Sequence, residues 1–341
     1  MFGAFRFFLA LLVVIEHLYL TTVFHVGAVA VVSFYMLAGY VMSHSLRRNF
    51  SDSPLSAFYY DRFLRVFPLY WVFTGLSILA IAWIGESKLD LAGWRGIGLA
   101  TLFPLNYWPF TTKLFSVAGN SFPIPPAPSL ALELHFYLLC PFLVRNVALR
   151  TAAGMISLIV FTLAAFGVFH TYNWGYALLP GTLFIFCTGI SLYELRIGLH
   201  TKINRAFLGF GLLTLGIILI PLLSKGLISV QHNQEVILGY LLAVVAIHFL
   251  GRLAHKSRLD SFLGDLSYPM FLGHFFGFLL VKKIQGSIGI ELDGWSRVSL
   301  MISAALLVSL AGTSLDRRFQ NLRRSSRARK QRARALVHAS T

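Results

Sequence analysis

The chain has 341 residues, of which 57% are hydrophobic and only 12% charged, and it carries a formal net charge of +16. A soluble domain has about twice that charged fraction, and repeated apolar runs near ~20 residues match the ~30 Å of a bilayer's hydrocarbon core. These features exclude a water-soluble globular protein, and the lack of short alternating segments argues against a membrane β-barrel.

The class is therefore all-α: a polytopic integral membrane protein. Ten spans are expected, near residues 5–24, 27–45, 66–84, 129–145, 152–170, 176–194, 206–224, 235–250, 262–281 and 296–315. The first contains RFFLALLVVIEHLYL, with Glu16 and His17 inside the apolar run. The small residues of HVGAVA resemble a signal-cleavage site, but this polar pair and the many later spans favour an uncleaved helix. Arg6 and His17 are eleven residues apart, about three turns, which stacks them on one stripe ~16 Å apart in depth. Glu16 points ~100° away from that stripe.

The loop after the second span, HSLRRNFSDSPLSAFYYDRFLR, holds Arg47, Arg48, Arg62 and Arg65. Placing it in the cytoplasm, by the excess of Lys and Arg on that side, puts twenty-two of the 29 basic residues inside. The segment 96–108, GIGLATLFPLNYW, has only 13 residues and contains Pro104. A full crossing there would collapse the charge bias, so a re-entrant or interfacial piece is expected. The Pro-rich stretch TTKLFSVAGNSFPIPPAP that follows reads as an external loop. Cys140 and Cys187 lie in apolar runs without metal-ligand spacing and read as small core residues, so no metal is expected. The tail holds nine Lys and Arg between Arg317 and Arg334. It reads as a cytoplasmic segment near anionic lipid, with no nucleic acid as partner.

Ionisable side chains inside a membrane are functional candidates, because each is costly unless paired or hydrated. The topology places His17, Glu133 in PSLALELHFYLLCPFL, and His274 in LGDLSYPMFLGHFFGFLL at one depth in the outer half. A histidine satisfied at a helix interface is the competing interpretation of His17. Near the cytoplasmic mouth stand Arg6, Arg62 and Arg65, with Asp61 beside them. Arg62 and Arg65 share a helix face. They are either ordinary flanking charges or a phosphate clamp, for which the guanidinium fork is suited.

Five elements then occur in order: Arg6-x10-His17, SFYMLAGY at 33–40, RFLRVFPLYW at 62–71, SLALELHFYLLCP at 129–141 and LGDLSYPMFLGH at 263–274. Together they resemble membrane-bound acyltransferase family 3, which O-acetylates cell-surface glycans and related acceptors. Ala38 stands where the family usually has Ser, and Pro128 where a Trp often precedes Ser-Leu. The resemblance implies a transferase unit over residues 1–316 and a basic cytoplasmic tail over 317–341. It also implies acyl-CoA, most commonly acetyl-CoA, as a cytoplasmic donor substrate and no permanently bound cofactor. The acceptor would be a hydroxyl of an extracytoplasmic or lipid-linked saccharide. Membrane lipids and polysaccharide biosynthesis proteins are the implied neighbours, and a bacterial inner membrane the implied location.

Acyl transfer from a thioester to an alcohol needs a base and a group that stabilises the oxyanion. On this reading His17 is the general base, or a transiently acylated nucleophile. Glu133 orients or charge-balances His17 or binds acceptor hydroxyls. His274 contributes an oxyanion or acceptor contact, and Arg6, Arg62 and Arg65 hold the coenzyme phosphates. The rival functions are a secondary transporter or flippase for a polysaccharide precursor and a non-catalytic scaffold in an export complex.

Overall fold

The computed structural model describes residues 2–18, 24–84, 124–224, 232–253, 257–289, 292 and 294–339, with side chains as far as Arg323 except at 222 and 223. Among the described residues ten α-helices occur: α1 Gly3–His17, α2 Val26–Asn49, α3 Leu55–Ile84, α4 Ala127–Arg145, α5 Val147–Ala165, α6 Leu179–Arg196, α7 Thr201–Ser224, α8 Asn233–Arg252, α9 Arg258–Ile288 and α10 Gly294–Ala339. A short π-helical turn, Tyr172–Ala177, leads into α6. Each expected span falls on one helix, and no strand occurs among the described residues. Eight of the ten are long and apolar enough to cross a membrane. The other two are α1, which has only 15 residues, and α9, whose apolar run is interrupted by Asp265, Ser267, Tyr268, Pro269 and His274.

Polar contacts fix the directions of the helices. Ala4 N–H donates to Asp260 Oδ1 at 3.0 Å and the rings of His17 and His274 are 5.1 Å apart, so α1 and α9 run parallel. Arg47, ending α2, donates to the Val144 carbonyl near the end of α4 at 2.9 Å. Trp83, ending α3, lies 5.3 Å from the Lys283 ammonium towards the end of α9. Odd-numbered helices thus start, and even-numbered helices end, on one face, called here the basic face. The re-entrant candidate 96–108 and the Pro-rich stretch up to residue 123 lie outside the described residues. The end of α3 and the start of α4 lie on the same side, as the charge count requires.

Helices α2 and α6 are the most enclosed pair, and glycine lets their backbones touch. A Cβ on Gly39 would stand 2.1 Å from the Phe186 carbonyl oxygen, and one on Gly189 1.9 Å from that of Met36. Near this crossing Tyr35 stacks on Phe186 at 4.8 Å. At the basic face Glu194 ties the ends together. Arg150 forks onto it at 2.9 and 2.7 Å, Asn204 donates at 3.0 Å, and Arg47 donates to the same carboxylate. Arg150 and Glu194 are 1% and 0% exposed. Such a buried pair is tolerated because further hydrogen bonds, here from Asn204 and Arg47 to the same carboxylate, offset its desolvation. Both cysteines are buried and free, as expected of core residues.

Helix α10 does not end where the basic tail was expected to begin at residue 317. It continues to Ala339, and Gln320 and Arg323 still face the bundle.

The α2–α6 contact gives a direct test. Gly39→Val drives a branched side chain into backbone that cannot yield, and overpacking typically costs ~1–3 kcal/mol. A fall in detergent melting temperature is expected. Gly209→Ala, where a Cβ meets nothing within 4 Å, should leave the melting temperature unchanged or raise it.

Candidate active site

The larger cavity, about 460 Å³, reaches from Asp260 and Asn49 at the basic face inward to Tyr35 and Ser129. Arg6, Arg62 and Arg65 all line it, so the three arginines are brought together from α1 and α3. Two of them are held by carboxylates. Arg62 donates to Asp61, with Nε–Oδ2 at 3.1 Å, and lies 5.9 Å from the Tyr137 ring centroid. Arg65 donates to Asp316 at 2.9 Å and sits 5.0 Å over the Tyr268 ring, whose hydroxyl is fixed by the Val66 carbonyl at 2.8 Å. Arg323 of α10 approaches Asp61 at 3.6 Å. Among the described residues Arg6 makes no ion pair, and its strongest charged neighbours are Arg65 and Glu133.

Glu133 also lines this cavity, accepting a hydrogen bond from Tyr137 one turn on. This corrects the expectation that Glu133 lies level with His17 and orients it. The carboxylate faces the three arginines instead. Depth read from position along a straight span misplaced it.

A smaller chamber of about 190 Å³ lies on the opposite side and contains His17, Glu16, His25, Tyr172, Tyr176 and His232 in its lining. His17, expected in the outer half of a span reaching residue 24, is the last residue of α1. Its Nδ1 meets the Val13 carbonyl at 2.8 Å. A carbonyl can only accept, so Nδ1 carries the proton and Nε2 keeps a lone pair. His274 meets the Met270 carbonyl at 3.0 Å in the same way. It is 0% exposed and its Nε2 has no partner among the described residues. It stands behind His17 and lines neither cavity. Direct contact with acceptor or oxyanion, as expected from sequence, is therefore not what this placement provides.

The chamber holds groups that the residue pattern did not announce. Glu16, which had no assigned role, accepts from His25 Nδ1 at 2.7 Å and from the Gly27 N–H at 3.3 Å. The His25 N–H donates to Glu235 at 3.1 Å. His232, in the turn before α8, packs edge-on against His25 at 4.7 Å and Tyr176 at 4.6 Å. Burial, with His25 beside it, pushes the His232 imidazole down to about 4, so it is neutral near pH 7. Only the nine-residue spacing of Glu16 and His25 in the sequence could have suggested the pairing.

Val31, Tyr35 and Ser129 line both cavities. The two spaces are therefore separated by one layer of side chains, with arginines on one side and His17 on the other.

A family model described as an acyltransferase domain, that of acyltransferase family 3, matches residues 2–313. An uncharacterized protein of Aquifex aeolicus (strain VF5) is 27% identical over 205 residues, covering 59% of this chain and 91% of that protein. No solved structure matches the chain significantly.

The arginine cavity predicts an asymmetry among its carboxylates. Asp61→Asn removes the counter-charge of a buried arginine and should cost about 3–5 kcal/mol, seen as a lower melting temperature in detergent. Asp265→Asn breaks only the exposed 3.5 Å pair with Arg317 and should cost at most about 1 kcal/mol.

Proposed function

The chain belongs to acyltransferase family 3, and from that membership we propose that it is a membrane O-acyltransferase moving an acyl group, most commonly acetyl, from acyl-CoA to a hydroxyl. The observation that carries the proposal is the pair of cavities divided by Val31, Tyr35 and Ser129. The donor's phosphates are assigned to the arginine cavity and the acceptor hydroxyl to the His17 chamber.

Arg6 is the cation best placed for an incoming anion, since Arg62 and Arg65 already hold carboxylates. A phosphate arriving there gains a charge-assisted bond without first displacing a carboxylate. Arg62 and Arg65 add fixed positive potential, their forks held in place by Asp61 and Asp316. Glu133 and Tyr137 flank the path towards the dividing layer. From Arg6 to His17 the helix rises ~16 Å, a span for the extended pantetheine arm of the donor to cover.

In the chamber, His17 Nε2 takes the acceptor's hydroxyl proton as the oxygen attacks the thioester carbonyl carbon. Collapse of the tetrahedral intermediate breaks the carbon–sulfur bond. The departing sulfur takes the proton from His17 and leaves as free thiol. The Val13 carbonyl holds the base in the required tautomer throughout. His274, packed 5.1 Å from the His17 ring, keeps that ring in place. The charge bias of the helix ends makes the basic face cytoplasmic, with both cavities open to their substrates from opposite sides of a bacterial inner membrane.

Two measurements on purified protein test these roles. His17→Ala should lower acyl transfer by at least ~10²-fold, the usual contribution of a general base, with coenzyme affinity unchanged; retained transfer would remove His17 from the chemistry. Arg6→Ala should raise the KM for acyl-CoA by about tenfold or more, since a charge-assisted bond is worth ~1.5–3 kcal/mol. An unchanged KM would place the donor elsewhere.

A further inference from the structure

We propose that the His17 chamber is a subsite for an uncharged sugar residue, with Glu16 and His25 as the pair that receives its hydroxyls; this rests on the acyltransferase reading above. The first argument is the division of charge. The larger cavity is lined by Arg6, Arg62, Arg65 and Arg323. No Lys or Arg lines the smaller chamber among the described residues, and the carboxylate in its wall is Glu16. A second carboxylate, Glu235, lies one layer back, 1% exposed. One of its oxygens takes the His25 N–H and the other, Oε2, has no partner among the described residues. An acidic sugar entering here would bring a further negative charge beside these two, with no arginine or lysine among the described residues to receive it.

The second argument is the polarity of the hydrogen-bonding groups. His25 Nδ1 is committed to Glu16 at 2.7 Å, which leaves its Nε2 to a ligand. His17 offers a lone pair at its Nε2, with Nδ1 committed to the Val13 carbonyl. The Glu16 oxygens accept only. The wall thus presents acceptors at Glu16 and His17, which suits a ligand rich in O–H donors. Tyr172, Tyr176, Pro126 and Pro128 add apolar surface against which the C–H face of a sugar ring can lie. The chamber has less than half the volume of the arginine cavity, in keeping with one ring rather than a coenzyme. Glu16 and His25 act here as positioning residues for the acceptor, while His17 moves the proton.

The test compares surface glycans from cells with and without the full-length chain, mapping ester-bearing residues by mass spectrometry. Esters that depend on the chain are expected on uncharged sugar residues. Their location on uronic or other acidic sugars, or on a non-sugar acceptor, overturns the proposal and leaves the acyltransferase reading intact. The absence of any chain-dependent ester overturns that reading itself. Glu16→Gln, which keeps shape and removes charge, should lower the ester level at least about tenfold while acetyl-CoA affinity of the purified variant stays within about twofold, tenfold being ~1.4 kcal/mol of lost acceptor binding. His25→Gln, carrying the same two readouts, guards against misfolding of the first variant. Wild-type ester levels in either folded variant overturn the assignment of the pair.

Discussion

A charge carried to membrane depth must find its counter-charge within the protein, because lipid offers none. That constraint organises this bundle. Arg150 meets Glu194 across α5 and α6, Arg65 meets Asp316 across α3 and α10, and Arg62 meets Asp61 within α3. Each pair is expensive to desolvate and stable only in a protein-lined setting. The Glu194 cluster consolidates the helix ends at the basic face. The Arg62 and Arg65 pairs hold their guanidinium groups at the edge of a cavity. Arg6 makes no such pair among the described residues, and it lies in the same cavity. A site that neutralises most of its cations in advance retains one for a ligand without carrying a large uncompensated charge.

Much of the fold was legible because the bilayer makes length, hydropathy and Lys/Arg bias decisive. The ten expected spans each correspond to a helix, and the side-to-side alternation inferred from the arginines agrees with the contacts of Arg47, Trp83 and Asp260. Arg62 and Arg65 share a helix face and Arg6 the same end of the bundle, and the three line one cavity. Depth was less legible. His17 was placed within a longer span, whereas α1 stops at that residue. Glu133 was placed level with it, whereas tertiary packing turns the carboxylate to the arginines and Tyr137. Arg150 pairs with Glu194, 44 positions away on another helix. Pairing of that kind depends on packing, and helical periodicity carries no trace of it.

The two cavities give a physical reason for placing arginine and histidine on one short helix. In the proposed transfer the phosphates of the donor need cations near the basic face, and the reacting hydroxyl needs a base with a free lone pair. Three turns of α1 hold these two requirements at a fixed separation. Val31, Tyr35 and Ser129 line both spaces, so that in the proposed transfer the thioester passes one layer of side chains to reach the base. Excluding water at that layer would protect the thioester from hydrolysis and strengthen the local electrostatic interactions. Glu16, adjacent to His17 but turned from it, belongs to the same chamber through His25.

The most direct measurement is a cryo-electron microscopy structure of the full-length protein with a non-transferable acetyl-CoA thioether. The account predicts coenzyme phosphates among Arg6, Arg62 and Arg65, the pantetheine arm passing Val31, Tyr35 and Ser129, and the acetyl terminus beside His17. Phosphates bound away from these arginines, or an acetyl terminus that does not reach the His17 chamber, would contradict it.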